Sequence, residues 1–349
     1  MKFYELAEKA LQLEREGKEI IRLNVGDTNL SPPACAIEAV IKEIKHGKAN
    51  YGSSIGMQEL REKIAEREQC EVENVVIGPG SKHLIHALLS LFAKKGEVLL
   101  PTPTWPAYRL ACEQLGFKYR QIKTRLEDNW NFEKLDFEKA ELLILCNPGN
   151  PTSTIYEKRR VDDAIKEANE EGVTVIIDEA YKDLAFEKAP HYKGVIRVRS
   201  FSKEFNMANW RLGYAIAPEE IVNKISEFNQ ITITCVPSFV QKAGIACLEN
   251  KKDILKENVE IWKKRSDVAQ RALRKEGFRF ARPQAGIYIF ATHNEITDAN
   301  RYVMRLLEEG IAVAPGDVFG EYNEFVRICV NRSEDVLEKA IGIMCNALD

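Results

Sequence analysis

The 349-residue sequence contains no apolar run approaching the roughly 18 residues that a membrane-spanning helix needs. It carries no excess of either charge. Its 50 Lys and Arg stand against 53 Asp and Glu, a net charge of −3. That balance gives neither the basic footprint of a nucleic-acid binder nor a polybasic membrane signal. Eight cysteines are present, but no C-x-x-C pair. Their scatter argues against a zinc site or a disulfide framework, so a reducing cytoplasm is the expected compartment. His83 and His86 stand three apart, with no third ligand in the pattern, so no metal is expected. Low-complexity segments and internal repeats are absent. Residues 1–19, MKFYELAEKALQLEREGKE, lack the continuous apolar core of a signal peptide and read as an amphipathic helix.

What is present is an ordinary globular mixture, 45% apolar and 30% charged, in a chain too long for one small core. β-like runs at 74–77, 97–100, 141–146, 173–178, 195–199 and 212–216 alternate with helical patterns such as 82–95, 157–171 and 218–230. This rhythm predicts an α/β fold with a mostly parallel central sheet and helices on both faces. After about Val236 it changes. A long helical region with a break near Asn250 is followed by short strands at 278–281 and 287–291. A helix at 298–309, a strand at 325–330 and a final helix from Ser333 come next. The expected division is an N-terminal segment (1–30) packing with a small C-terminal α+β domain (236–349), and a large domain (31–235) between them.

Five of the expected strands run into loops rich in Gly, Pro, Ser and Asn: GPGSK, PTPTW, NPGNPTS, DEAY and SFSK. Ligands of open α/β sheets bind along the carboxyl edge of the strands, so these loops should converge. They would bring together Lys203, Asp178, Tyr181, Asn150, Trp105, the Gly80-Ser81 turn, Ser200 and Arg211. A helix N-terminus with nearby Ser and Arg suits a phosphate. A lysine forms a Schiff base with a carbonyl. An acid facing a pyridine nitrogen keeps it protonated, and an indole can stack on the ring. These are the parts that pyridoxal phosphate requires.

With NPGNPT, DEAYKDL and SFSKEFNMANWRLGY in this order, YGSSIGMQELR upstream and PGDVFG…VRI downstream, the chain resembles the aspartate aminotransferase-like, fold-type-I pyridoxal phosphate enzymes. The likeness runs from VGDTNLSPP to EFVRICV. It implies that Lys203 is the Schiff-base lysine and proton carrier, and Asp178 the partner of the pyridine nitrogen. Tyr181 and Asn150 would donate to the ring's phenolic oxygen, and Trp105 would stack on the ring. Ser81, Lys82, Ser200 and Arg211 would hold the phosphate. Tyr51 would reach the phosphate of a neighbouring subunit, implying a homodimer with shared sites. Arg327 would grip the substrate α-carboxylate, and Gly26 would line the substrate pocket. The activity implied is ping-pong transfer of an amino group between an amino acid and a 2-oxo acid. Ser153 departs from the usual Gly after NPxNPT, a change expected to affect only the local turn. AKKGEV replaces the usual Pro-Gly-Asp-Glu loop.

Singly, each feature has a plainer reading. Lys203 could be a solvated lysine, Asp178 a strand-end cap, NPGNPT a turn, and Trp105 or Tyr51 a packing aromatic. Arg327 could be a structural ion pair. Lys82 is a candidate reader of a distal substrate carboxylate, and its plainer reading is a first-turn helix lysine at the surface. Rival functions are a histidinol-phosphate aminotransferase, suggested by the compact length, a decarboxylase or β-lyase on the same fold, and a non-catalytic pyridoxal phosphate-binding module.

Overall fold

The computed structural model describes residues 3–47, 50–92 and 96–348. The helices are α1 (Phe3–Arg15), α2 (Ala34–Lys45), α3 (Gln58–Glu68), α4 (Ser81–Phe92), α5 (Ala107–Leu115), α6 (Lys158–Glu170), α7 (Phe201–Glu204), α8 (Glu219–Thr232), α9 (Ser238–Glu249), α10 (Lys251–Lys275), α11 (Ala299–Glu308) and α12 (Glu334–Asn346). The strands are β1 (Ile21–Arg22), β2 (Val75–Gly78), β3 (Glu97–Thr102), β4 (Lys118–Lys123), β5 (Ala140–Cys146), β6 (Thr174–Asp178), β7 (Ile196–Ser200), β8 (Gly213–Ile216), β9 (Arg279–Phe280), β10 (Tyr288–Thr292), β11 (Ile311–Ala312), β12 (Ala314–Pro315) and β13 (Phe325–Cys329).

The main sheet has seven strands in the order β2-β8-β7-β6-β5-β3-β4. Strands β4, β3, β5, β6 and β7 pair in parallel, whereas β8 is antiparallel to both β7 and β2. The reason is visible in β5, ELLILC, and β6, TVIID. Successive side chains point to opposite faces, and both faces are covered, so almost every position is apolar. Leu142, Ile144 and Ile176 pack under α4, α5 and α8. Leu143, Leu145, Val175 and Ile177 pack against α6. All six expected strands of this region are present. The edge strand β4 is an addition. Its sequence, KYRQIK, carries three cations, which blunt an exposed edge and also hide the strand from a search for apolar runs.

A second, antiparallel sheet, β12-β13-β10-β9, shares a core with α10, α11 and α12. Ala10, Ile20 and Leu23 of the N-terminal segment join this core, and β1 pairs in parallel with β11, Ile21 opposite Ile311. The expected break in the long helical region is Asn250. Its side-chain amide donates to the Ala246 carbonyl at 2.9 Å and closes the end of α9. Although α9 follows residue 235, its Val240, Ala243, Ile245 and Leu248 pack with Leu60, Ile77 and Tyr214 of the main-sheet layer. The helix expected over 82–95 is described to Phe92; its last residues, and with them the start of the AKKGEV loop, lie outside the described residues.

Candidate active site

The carboxyl ends of β3, β5, β6 and β7 open into a cavity of about 530 Å³. Gly26, Ser81, Lys82, Trp105, Asn150, Asp178, Tyr181, Ser200, Lys203, Arg211 and Arg327 all line it. Of the residues to which the resemblance gives a role at the site, Tyr51 lies elsewhere, 87% exposed on the outer surface.

One end of the cavity is built to attract an anion. Helix α4 begins at Ser81 with its first backbone N–H groups unspent on the helix. Arg211, in a left-handed conformation (φ 57°), lies across that start. Its guanidinium donates to the carbonyls of Ala208 (2.6 Å) and Pro79 (3.2 Å) and to Ser202 Oγ (3.4 Å). The approach demands glycine at position 80: φ there is +89°, and a Cβ would fall 2.3 Å from Arg211 Nη2. Ser200 caps α7, its Oγ accepting from Ser202 N at 3.2 Å. Lys203 follows within that single helical turn and donates to the carbonyl of Gly26. Burial lowers the pKa of its ammonium, with the Asp27 carboxylate pulling the other way, so the neutral amine is more accessible than in an ordinary lysine.

Asp178 closes the floor and is buried. Its Oδ2 accepts from the Tyr108 hydroxyl at 2.7 Å and its Oδ1 from Ala180 N at 3.0 Å. Burial pushes its carboxyl up to about 6, against the pull of both hydrogen bonds. Among the described residues it makes no ion pair, so a cationic ring nitrogen would relieve its desolvation. Trp105 meets Tyr108 edge-on, with ring centroids 5.5 Å apart, and the Lys82 ammonium lies 5.3 Å from the Trp105 centroid.

The opposite wall comes from the second sheet and the N-terminal segment. Arg327, on β13, is 1% exposed. Its Nη1 donates to Asn150 Oδ1 at 3.0 Å and its Nη2 to the Asn24 carbonyl at 2.6 Å. The guanidinium carbon sits 4.4 Å from the Tyr288 ring centroid and 4.8 Å from that of Phe319. The Tyr288 hydroxyl is 2.9 Å from that of Tyr181. Burial raises the Tyr181 phenol well above its usual range, and the adjoining Tyr288 phenol adds to this, so it stands as a neutral donor.

Residues 18–343 match the family described as aminotransferase class I and II. The chain belongs to this family. It is 35% identical over 332 residues to an aspartate aminotransferase of Thermococcus kodakarensis, covering 94% of this chain and 88% of that one. The aspartate aminotransferase of Thermus thermophilus with maleate superposes with a TM-score of 0.94 at 26% identity, covering 100% of this chain and 97% of the other. An aromatic aminotransferase from Pyrococcus horikoshii OT3 gives 0.88 at 28% identity, with 98% of each chain covered. This aminotransferase is therefore aspartate aminotransferase-like and, as a class I and II enzyme, pyridoxal phosphate-dependent. The anion-seeking turn, the buried carboxyl waiting for a cation and the accessible amine all fit that cofactor.

Two features of this aminotransferase escaped the sequence. Tyr108 follows Trp105 by three residues, where a helical turn brings both to one side; that spacing was the available signal. Tyr288 had none, since it is one apolar residue among IYIFA. Ser153 required a correction. The hydroxyl was expected to matter only within its turn, yet it accepts from Tyr288 N at 3.1 Å and fixes the turn to β10.

Proposed function

We propose that the cavity holds pyridoxal 5′-phosphate and an amino acid together, with the roles that the resemblance implied. When bound, the cofactor supplies an aldehyde for an amine and a protonated ring that draws electrons from the substrate Cα. Lys203 Nζ is the proposed anchor amine and carrier of the Cα proton. Asp178 holds the proton of the ring nitrogen by its charge. Tyr181 and Asn150 donate to the ring oxygen, and Trp105 covers one ring face. The N–H groups of Ser81 and Lys82, with the side chains of Ser200 and Arg211, take the phosphate. Arg327 takes the substrate α-carboxylate as a two-pronged donor, with the backbone of Gly26 beside it. Lys82 is proposed to read a distal carboxylate, which makes dicarboxylic amino acids and 2-oxo acids the substrates. The observation that carries this reading is the convergence of Lys203, Asp178, Arg211 and Arg327 on one cavity.

The proposed assembly is a cytoplasmic homodimer. Exposed Tyr51 lies on the same chain as the outward apolar side chains Ile37, Ile41 and Ile44 of α2. The role that the resemblance implies for Tyr51, at the phosphate of the neighbouring site, needs a partner subunit. The eight free cysteines suit a reducing compartment. The domain division proposed is 1–30 with the C-terminal part, and a large domain from 31. The packing of α9 against the main-sheet layer supports an end near Asn250 in place of 235.

Holoenzyme should show visible absorbance that changes when an amino acid is added. Lys203→Ala should lose both that response and turnover, and full turnover in this variant would refute the assignment. A screen of amino-acid and 2-oxo-acid pairs then names the substrates.

A further inference from the structure

Behind the cavity lies an ionic cluster to which none of these roles is assigned. Four cations, Arg67, Lys182, Arg197 and Arg199, meet four anions, Glu68, Glu179, Asp183 and Glu204. Apart from Asp183, at 28% exposed, their side chains are between 1% and 11% exposed. Glu204 accepts from Arg199 Nη2 at 2.6 Å and from Arg67 Nη2 at 2.9 Å. Glu68, at the end of α3, receives Arg197 at 2.5 Å on one oxygen, and Arg199 (3.1 Å) and the Tyr214 hydroxyl (2.7 Å) on the other. Glu179 takes Lys182 at 2.7 Å and faces Arg197 and Arg199 at 3.8 and 3.7 Å. Asp183 binds Arg199 at 2.5 Å and also pairs with Arg67. His191 Nδ1 borders Arg197 at 3.5 Å. Burial works to raise the Glu68 carboxyl, but Arg199, Arg197 and Arg67 outweigh it and hold it well below the usual carboxylate range.

The placement of four of these residues follows the chain. Glu179 succeeds Asp178, Lys182 succeeds Tyr181, Arg199 precedes Ser200, and Glu204 succeeds Lys203. Alternation sends neighbouring side chains of a strand to opposite faces. On β7, Ile196 and Val198 pack with α4 and α8, and Ser200, of the same parity, lines the cavity. Arg197 and Arg199 therefore point behind the sheet. Each of four cavity side chains thus has a chain neighbour locked into one cluster on the reverse side. Glu68 and Arg67 come from outside every motif: Glu68 holds Arg197 and Arg199, and Arg67 holds Asp183 and Glu204.

Stability is a poor explanation for such a cluster. The desolvation of buried ions cancels most of their attraction, and apolar replacements of equal volume are often as stable. What an interlocked set of charges does supply is fixed geometry, since each guanidinium has few arrangements that satisfy all its partners. Its four positive and four negative charges also balance, so it fixes that geometry without adding net charge behind the cofactor.

We propose that this neutral octet is a positioning device for the transamination site, with Arg199 joining the backings of Asp178, Tyr181, Ser200 and Lys203 and Glu68 holding Arg199 and Arg197 in place. The inference rests on the roles proposed for those four residues.

The test compares three holoenzyme variants. Tyr214→Phe removes one hydroxyl from Glu68. Glu68→Gln removes its charge. Arg120→Gln is a control that breaks an equally ionic contact with Glu97 and Asp136 at the far edge of the sheet. Misplacing reacting groups by a fraction of an ångström costs turnover more than binding, so kcat should fall about tenfold to a hundredfold in Glu68→Gln and a few-fold in Tyr214→Phe. KM should stay within about twofold, and the visible absorbance of the lysine-bound cofactor should shift in its pH titration. Arg120→Gln should lower Tm alone. Unchanged kcat and absorbance in the first two variants would overturn the proposal, as would an equal loss of kcat in the control. If Glu68→Gln does not fold, Tyr214→Phe decides. Turnover by Lys203→Ala would instead overturn the proposed function, so the two failures are separable.

Discussion

The Tyr108 hydroxyl points at Asp178 Oδ2 from 2.7 Å, and it is one of only two hydrogen bonds the chain donates to that buried carboxylate among the described residues. A bond to the charged form favours ionisation, whereas burial opposes it and brings the carboxyl to about 6. Cys146 and Glu179 are the other ionisable groups that face it. The role proposed for Asp178 in cofactor binding needs the ionised form. Affinity of the apoprotein for pyridoxal phosphate should therefore weaken by up to about tenfold per pH unit as pH falls below the Asp178 midpoint. Tyr108→Phe removes a stabiliser of the charge, raises the midpoint, and should move this loss to higher pH. Binding titrations from about pH 5 to about pH 8 would show it; superimposable profiles would count against the role given to Asp178.

Asn150 is the link between the two walls, because its Oδ1 receives Arg327 Nη1. Hydrogen bonds to charged groups are worth about 1.5–3 kcal/mol. Asn150→Ala should cost kcat/KM that much for every amino acid tested, whatever its side chain. Arg327→Lys keeps the charge but not the fork, and should raise KM across the same series. Steady-state kinetics with several substrates separates this uniform loss from a side-chain-selective one.

Lys82 offers the selective case. If its ammonium reads a distal carboxylate, Lys82→Ala should depress kcat/KM for glutamate and aspartate by about tenfold or more and leave monocarboxylic amino acids within about twofold. Equal rates with glutamate before and after the change would return Lys82 to the status of a surface lysine.

Gly26 gives a steric prediction. A Cβ there would fall 1.8 Å from the Tyr288 hydroxyl oxygen and 3.0 Å from the carbon behind it. Gly26→Ala should displace either Tyr288 or the segment that carries Asn24, loosening Arg327, at a cost of about 1–3 kcal/mol in stability. Combining it with Tyr288→Phe should recover part of the loss, as followed by Tm and by KM for amino acids.

The parts of this molecule that a sequence displays are those dictated by local chemistry. The buried strands β5 and β6 showed as apolar runs, and the loops after them showed as turn-forming residues with a lysine and an acid at fixed spacing. Edge strand β4 did not show, because solvent exposure replaces the apolar pattern with Lys118, Arg120 and Lys123. Nor did the position of α9. An amphipathic helix declares that it has an apolar face, but not which sheet that face will meet. Tyr288 and Ser153 were obscure for the same reason. Their hydrogen bonds span parts of the chain that only the tertiary fold brings together.

Strand β1 has a bearing on how the protein is made. Ile21 pairs with Ile311, and the Leu23 carbonyl receives Cys329 N. A ribosome delivers the N-terminal segment first, yet its partners emerge almost last. The main sheet can condense during synthesis, while residues 20–27 wait unpaired. Gly26, Asn24 and Arg327 reach the cavity in the same late event. A nascent or truncated chain stopped before β13 could therefore gather the lysine, the acid and the anion-seeking turn without the wall that would hold a substrate.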